Sequence, residues 1–151
     1  MPQSARVSRR SLAYRALGGL ALLAVMLVGG VAVARPRDLN MSLDRPSDQG
    51  VFRVRIQSQV APIPLSRVHP WSVHLIDQAG LPISGAVIAV DGGMPEHHHG
   101  LPTAPRASPA AAPGDYLISG MKFSMTGWWV LKLSIKAPDG RTDRITFNLV
   151  L

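Results

Sequence analysis

An all-β fold, an immunoglobulin-like β-sandwich of about seven strands, is predicted by three features of this sequence. From Val51 onward, apolar and polar residues alternate with the two-residue period of half-buried strands. Clusters of Gly, Pro and Asp separate these runs at short, regular intervals. No stretch after Val51 carries a 3.6-residue apolar repeat of useful length.

The first third of the 151-residue chain differs from the rest. Met1 to Arg15 contains Arg6, Arg9, Arg10 and Arg15 and no acid, and an uncharged apolar run follows from Ala16 to Ala34, ending Ala32-Val33-Ala34. A basic start, an apolar middle and small residues at the cut are the order of a secretory signal, with cleavage expected after Ala34. The run is 19 residues long, close to the roughly 20 that a helix needs to cross a bilayer. An uncleaved N-terminal membrane-anchor helix is therefore the alternative, and either form exports the remainder. Ser8-Arg9-Arg10-Ser11-Leu12 also partly resembles a twin-arginine signal. Residues 35–50 are polar and aperiodic and read as a linker, so the domain is expected over 51–151.

Within that domain, Phe52, Val54 and Ile56 alternate with Arg53, Arg55 and Gln57 as a first strand, broken by Ala61-Pro62-Ile63-Pro64. Trp71, Val73 and Leu75 face inward on the next, with His74 outward. After the turn at Gly80-Leu81-Pro82 comes Gly85 to Val90, apolar throughout and read as a buried strand. Leu101 to Asp115 holds Pro102, Pro105, Pro109 and Pro113, which excludes a helix or a central strand and points to a long surface connection. Tyr116 to Met125 returns to strand composition, with Gly120 as a bulge. Trp129, Leu131, Leu133 and Ile135 line the next strand, and Ile145, Phe147, Leu149 and Leu151 the last. Two packed sheets would bury Phe52, Trp71, Tyr116, Phe123, Trp129 and Phe147.

Twelve of the sixteen Lys and Arg and all nine acids lie after Ala34, leaving the mature part near +3. The basic residues there are scattered, with no stripe to track phosphates, which argues against nucleic acid as a partner. There is no cysteine. Thiolate zinc sites, redox dithiols and blue-copper centres are thereby excluded, and any metal must be held by His, Met, carboxylate or backbone groups.

Such groups concentrate in Met94-Pro95-Glu96-His97-His98-His99-Gly100. In an extended backbone His97 and His99 share one side, giving a chelating pair, while His98 faces away. Imidazole suits copper, zinc and nickel, and the thioether of Met94 selects Cu(I). Glu96 reads as a solvated charge, Gly92-Gly93 and Gly100 as the means of a tight turn, and His69 and His74 as surface or edge residues. Trp128 and Trp129 put one indole on each side of a strand, with Trp128 placed to cover the loop.

Trp71 to Asp77, Gly80-Leu81-Pro82, Gly85-Ala86, Met94-Pro95 with His97 and His99-Gly100, Gly114-Asp115-Tyr116, and Phe123, Met125, Gly127 and Trp128 together resemble the YtkA-like/FixH-like domain of exported bacterial proteins. The resemblance runs over about Val68 to Leu151. It implies an immunoglobulin-like sandwich in the periplasm or on the outer face of the cytoplasmic membrane, with a place in copper supply or respiratory-oxidase assembly. It also directs attention to Met125, so that the expected metal ligands are Met94, His97, His99 and Met125, with copper as the ion. His98 stands where the family has a small residue and receives no role.

The function expected is that of a copper-binding or metal-handling accessory protein with a periplasmic or membrane protein partner. The alternative is a metal-free sandwich that presents its Pro-rich loop to such a partner. An enzyme is not expected, for want of a nucleophile elbow, a His-Glu-x-x-His signature or paired carboxylates.

Overall fold

The computed structural model describes residues 34–151, so the leader expected over 1–34 lies, but for its last residue, outside the described residues. Among the described residues no helix is long and apolar enough to cross a membrane. Nine strands follow in chain order: β1 Asp44–Pro46, β2 Phe52–Ser58, β3 His69–Asp77, β4 Val87–Met94, β5 His99–Gly100, β6 Arg106–Pro109, β7 Asp115–Met121, β8 Trp128–Lys136 and β9 Thr142–Val150. They form two antiparallel sheets, ordered β1-β2-β3-β7-β6 and β5-β4-β8-β9. With β1 set aside, this is the ABED and C′CFG strand order of an immunoglobulin-like sandwich.

The alternation in sequence becomes burial in space. Val54, Trp71, Val73, Leu75 and Ile118 of one sheet and Trp129, Leu131, Leu133, Ile145 and Phe147 of the other have no exposed surface. All six aromatics expected in the core are there. Burying a large apolar side chain contributes on the order of 1.5–3 kcal/mol, which is how a chain without disulfides holds two sheets together. Tyr116 adds a polar tie: its hydroxyl donates to the Ile83 carbonyl at 2.7 Å and accepts from the Ala86 amide at 2.8 Å.

Three expectations need correction. Residues 35–50 are more than a linker, since β1 pairs with β2 (Asp44 opposite Arg55) and Ser47 is buried. The run from Gly85 to Val90 is not buried on both faces: Ile88 points inward, but Val87 and Ala89 are exposed, because β4 lies in a sheet covered on one side only. The Pro-rich connection contains β6, an edge strand, where a proline at the end costs no ladder bond. The bulge falls where glycine signalled it. Between the pairs His69–Met121 and Trp71–Ile118, β7 carries one residue more than β3, and Gly120 has φ of 82°.

One end of the sandwich gathers the functional segments. The β2–β3 connection bridges to the β7–β8 connection at Leu65–Phe123, and Gly127 exchanges backbone hydrogen bonds with Leu151 at 2.9 and 3.1 Å. The end of β4, with β5, lies beside them, since Gly93 pairs with Val130 near the start of β8.

Candidate metal centre

The loop between β4 and β5 is a hairpin closed by a short 3₁₀ turn, Pro95–His97, followed by His98 in the left-handed region (φ 54°, ψ 33°). Gly93 faces Gly100 and Met94 faces His99 across the pair. A side chain on Gly93 is excluded: its Cβ would stand 2.3 Å from the His99 carbonyl oxygen. Glycine here thus serves close approach of two backbones within a strand, not the turn expected from its position.

This hairpin brings His97 and His99 together. Both are exposed, and their ring centres are 6.0 Å apart with planes at 27°. His99 Nδ1 lies 2.9 Å from the Gly100 carbonyl. A carbonyl can only accept, so in the neutral ring Nδ1 carries the proton and Nε2 keeps its lone pair. Metal-binding histidines are commonly oriented in this way, by a carbonyl on the nitrogen that does not ligate. An ion bound at about 2 Å by a ring nitrogen sits about 3 Å from the ring centre, so two imidazoles on one ion have centres at most roughly 6 Å apart. The observed separation falls within that limit.

The two methionines part company. Met125 lies beyond the end of β7 and is 42% exposed. Met94 is 1% exposed and belongs to the core, where its Cε occupies the space that a side chain on residue 127 would take, 2.6 Å from such a Cβ. The expectation that Met94 stands in the site beside the imidazoles is therefore revised. Opposite His99 in the ladder, its side chain projects to the same face and supplies apolar packing below the loop. Among the described residues no group of three or more His, Cys, Asp or Glu is placed to hold a metal ion.

Trp129 touches both His99 and the backbone of Met125. Its indole meets the His99 ring edge-on at 5.6 Å, and its Nε1 donates to the Met125 carbonyl at 3.1 Å. Trp129 thus packs against the loop, the place expected of Trp128. The latter lies on the outer face, donating to Asn148 Oδ1 at 3.0 Å. Phe123 continues the cluster inward, 5.2 Å from Trp129 and 5.7 Å from His69.

His69 also departs from expectation, being 2% exposed instead of a surface residue. Its Nδ1 donates to the Arg67 carbonyl at 3.0 Å, and its Nε2 is buried without a partner. The Pro70 that follows it gave no sign of this; only the alternation with Trp71 and Val73 did. His74 does face outward, and its Nδ1 is 2.5 Å from Asp115 Oδ1, beside a cleft of about 370 Å³.

Residues 48–134 match the family described as YtkA-like, and they carry both the His hairpin and the Phe123-to-Trp129 segment. The chain belongs to the YtkA-like family. Among solved structures this YtkA-like protein is similar to a DUF4426 family protein from Pseudomonas aeruginosa PAO1, at 13% identity and a TM-score of 0.51 over 68% of this chain and 91% of that one. At that identity the likeness is one of fold. A weaker likeness to the ZirS C-terminal domain (14% identity, TM-score 0.34, 65% of this chain and 66% of that one) adds no argument. No curated protein matches.

Proposed function

We propose that this YtkA-like protein is an exported metal-handling accessory that binds copper through His97 and His99, with Met125 as a thioether ligand. The observation that carries the reading is the pair of exposed imidazoles 6.0 Å apart, one of them oriented by a backbone carbonyl. Two imidazoles and one sulfur suit copper in either oxidation state: the nitrogens favour Cu(II), the thioether Cu(I). A site with so few ligands at the open end of a sandwich is suited to accept and release an ion for a periplasmic or membrane protein partner. The side chains around it hold position: Trp129 supports His99, and Met94 fills the floor. Its place is the periplasm or the outer face of the cytoplasmic membrane, as the basic and apolar leader in the sequence suggests.

The test is metal analysis of untagged protein, then of the double variant His97→Ala/His99→Ala. About one copper per chain is expected in the parent, with affinity at least about 100-fold lower in the variant and an unchanged thermal melt. Met125→Leu should weaken Cu(I) binding more than Cu(II) binding. A parent that takes up no copper would leave the metal-free interaction module as the better reading.

A further inference from the structure

Among the described residues, eight large apolar side chains are exposed, and they are distributed unevenly. Leu81 and Val87 lie at the end of the sandwich away from the His hairpin. The other six, Met41, Val60, Leu65, Val68, Met125 and Val150, lie on segments at the same end as the hairpin. They sit on the β2–β3 and β7–β8 connections, the end of β9 and the lead-in to β1, segments far apart in sequence that backbone bridges and hydrogen bonds bring together at this end. Soluble domains scatter such residues singly, and gathering them at one end marks a contact surface.

We propose that this end docks on the surface of an anionic lipid bilayer. Two observations select a membrane. The first is charge: residues 59–68 and 122–127, which carry Val60, Leu65, Val68 and Met125, contain Arg67 and Lys122 and no acid. Asp77 and Asp115 are the acids nearest these segments in the chain, and they stand at the other ends of β3 and β7. Asp44, which follows Met41, is paired with Arg53 and Arg55. Glu96 lies in the hairpin itself, and Asp38 is set against Arg35 and Arg37 in the lead-in. Apolar residues interleaved with cations on loop tips are what an interface of acyl chains and negative headgroups binds.

The second is where the described chain begins. Asn148 Nδ2 donates to the Asn40 carbonyl at 3.0 Å, which fixes residue 40 beside the end of β9 and so at the His-bearing end. The six residues from there back to Ala34 reach at most about 20 Å. Residue 40, six residues from the end of the uncharged run Ala16 to Ala34, is thus held at the end that carries the six apolar residues. Docking there would present His97 and His99 at the lipid surface. It does not require that they bind metal.

The chain has no cysteine, so single cysteines can be labelled cleanly. Val68→Cys and Leu81→Cys replace side chains that are each 61% exposed, at opposite ends. The full chain, carrying a fluorophore at one or the other, is reconstituted into vesicles of phosphatidylcholine with phosphatidylglycerol that contain a lipid-borne nitroxide quencher. Quenching at Val68 should be at least about threefold stronger than at Leu81, and it should fall when Arg67→Glu and Lys122→Glu are added or phosphatidylglycerol is left out. The His97→Ala/His99→Ala background should behave as the parent, so a failed metal site and a failed docking face are told apart. Equal quenching at the two labels overturns the proposal. So does shielding of the Val68 label from an aqueous quencher in detergent without lipid, which would put a second copy of the chain on this face.

Discussion

His98 shows how a single residue can be placed in the hairpin without being part of its chemistry. It occupies the left-handed region that L side chains disfavour and is exposed. His98→Gly should therefore raise stability by about 1 kcal/mol or less, the strain relieved being partly offset by glycine's greater freedom when unfolded. Copper uptake should not change; metal analysis beside a thermal melt checks both, and lost copper would make His98 a ligand. The convergence of His97 and His99 was legible from spacing, but for a different reason from the one at work. The backbone is not extended there; a 3₁₀ turn and a left-handed residue between them bring the rings together. The same break in phase hid the burial of Met94, because alternation cannot be carried through a turn.

Among the described residues, Asp143 is one of three carboxylates, with Asp44 and Asp139, that are held low and shape the acid response, and it is the buried one. Burial raises its pKa, but hydrogen bonds from Ser47 Oγ (2.5 Å) and the amides of Arg144 (2.7 Å), Gln49 (3.0 Å) and Val51 (3.3 Å) outweigh it and hold the carboxyl below its usual value. A depressed folded pKa gives stability that is present above the unfolded value of about 3.9 and is lost as the pH falls through the folded one. Stability should thus decline below about pH 4, and less steeply in Asp143→Asn. Asp143→Ala should cost about 2–4 kcal/mol at neutral pH by leaving buried donors unpaired. Urea melts at several pH values measure both, and an unchanged acid limb in Asp143→Asn would remove this carboxylate from the account.

At the scale of elements, the β4–β5 hairpin depends on backbones that touch. Gly93→Ala would set a methyl against the His99 carbonyl and the Gly100 Cα, 2.3 and 2.8 Å away. Neither is the end of a flexible side chain, so β5 must move. A loss of about 1–3 kcal/mol is expected, with weaker copper binding because His99 moves with β5. Melts and copper titrations of this variant test both, and unchanged affinity would show that the ligand geometry does not depend on strand pairing. Strands with strict alternation, such as β2, β3 and β9, were readable because one face of each meets the core. β1, β5 and β6 were not, because strands of two to four residues are defined by pairing partners distant in sequence. The bulge at Gly120 was readable because glycine in a strand signals it.

Across the whole molecule, the candidate centre contributes little to what holds the fold together. Of the residues from Met94 to Gly100, only Met94 is buried in the core, and it packs there by its own methyl group. The sheets are joined by Trp71, Phe123, Trp129, Phe147 and their neighbours, none of which needs an ion. In small metal domains the core is too slight to stand alone, and chelators unfold them. Here the opposite is expected: chelator-treated protein should keep its β-sheet circular dichroism and a cooperative melt. An ion bound to the folded state alone still adds stability by mass action, about 2.7 kcal/mol at a free concentration 100 times the dissociation constant. Copper should therefore raise the midpoint of the parent and leave that of His97→Ala/His99→Ala unmoved. If chelation unfolded the parent, the hairpin would belong to the core and not to its rim. The ion would then be structural, and a role in passing copper to a partner would fail, because release would cost the fold.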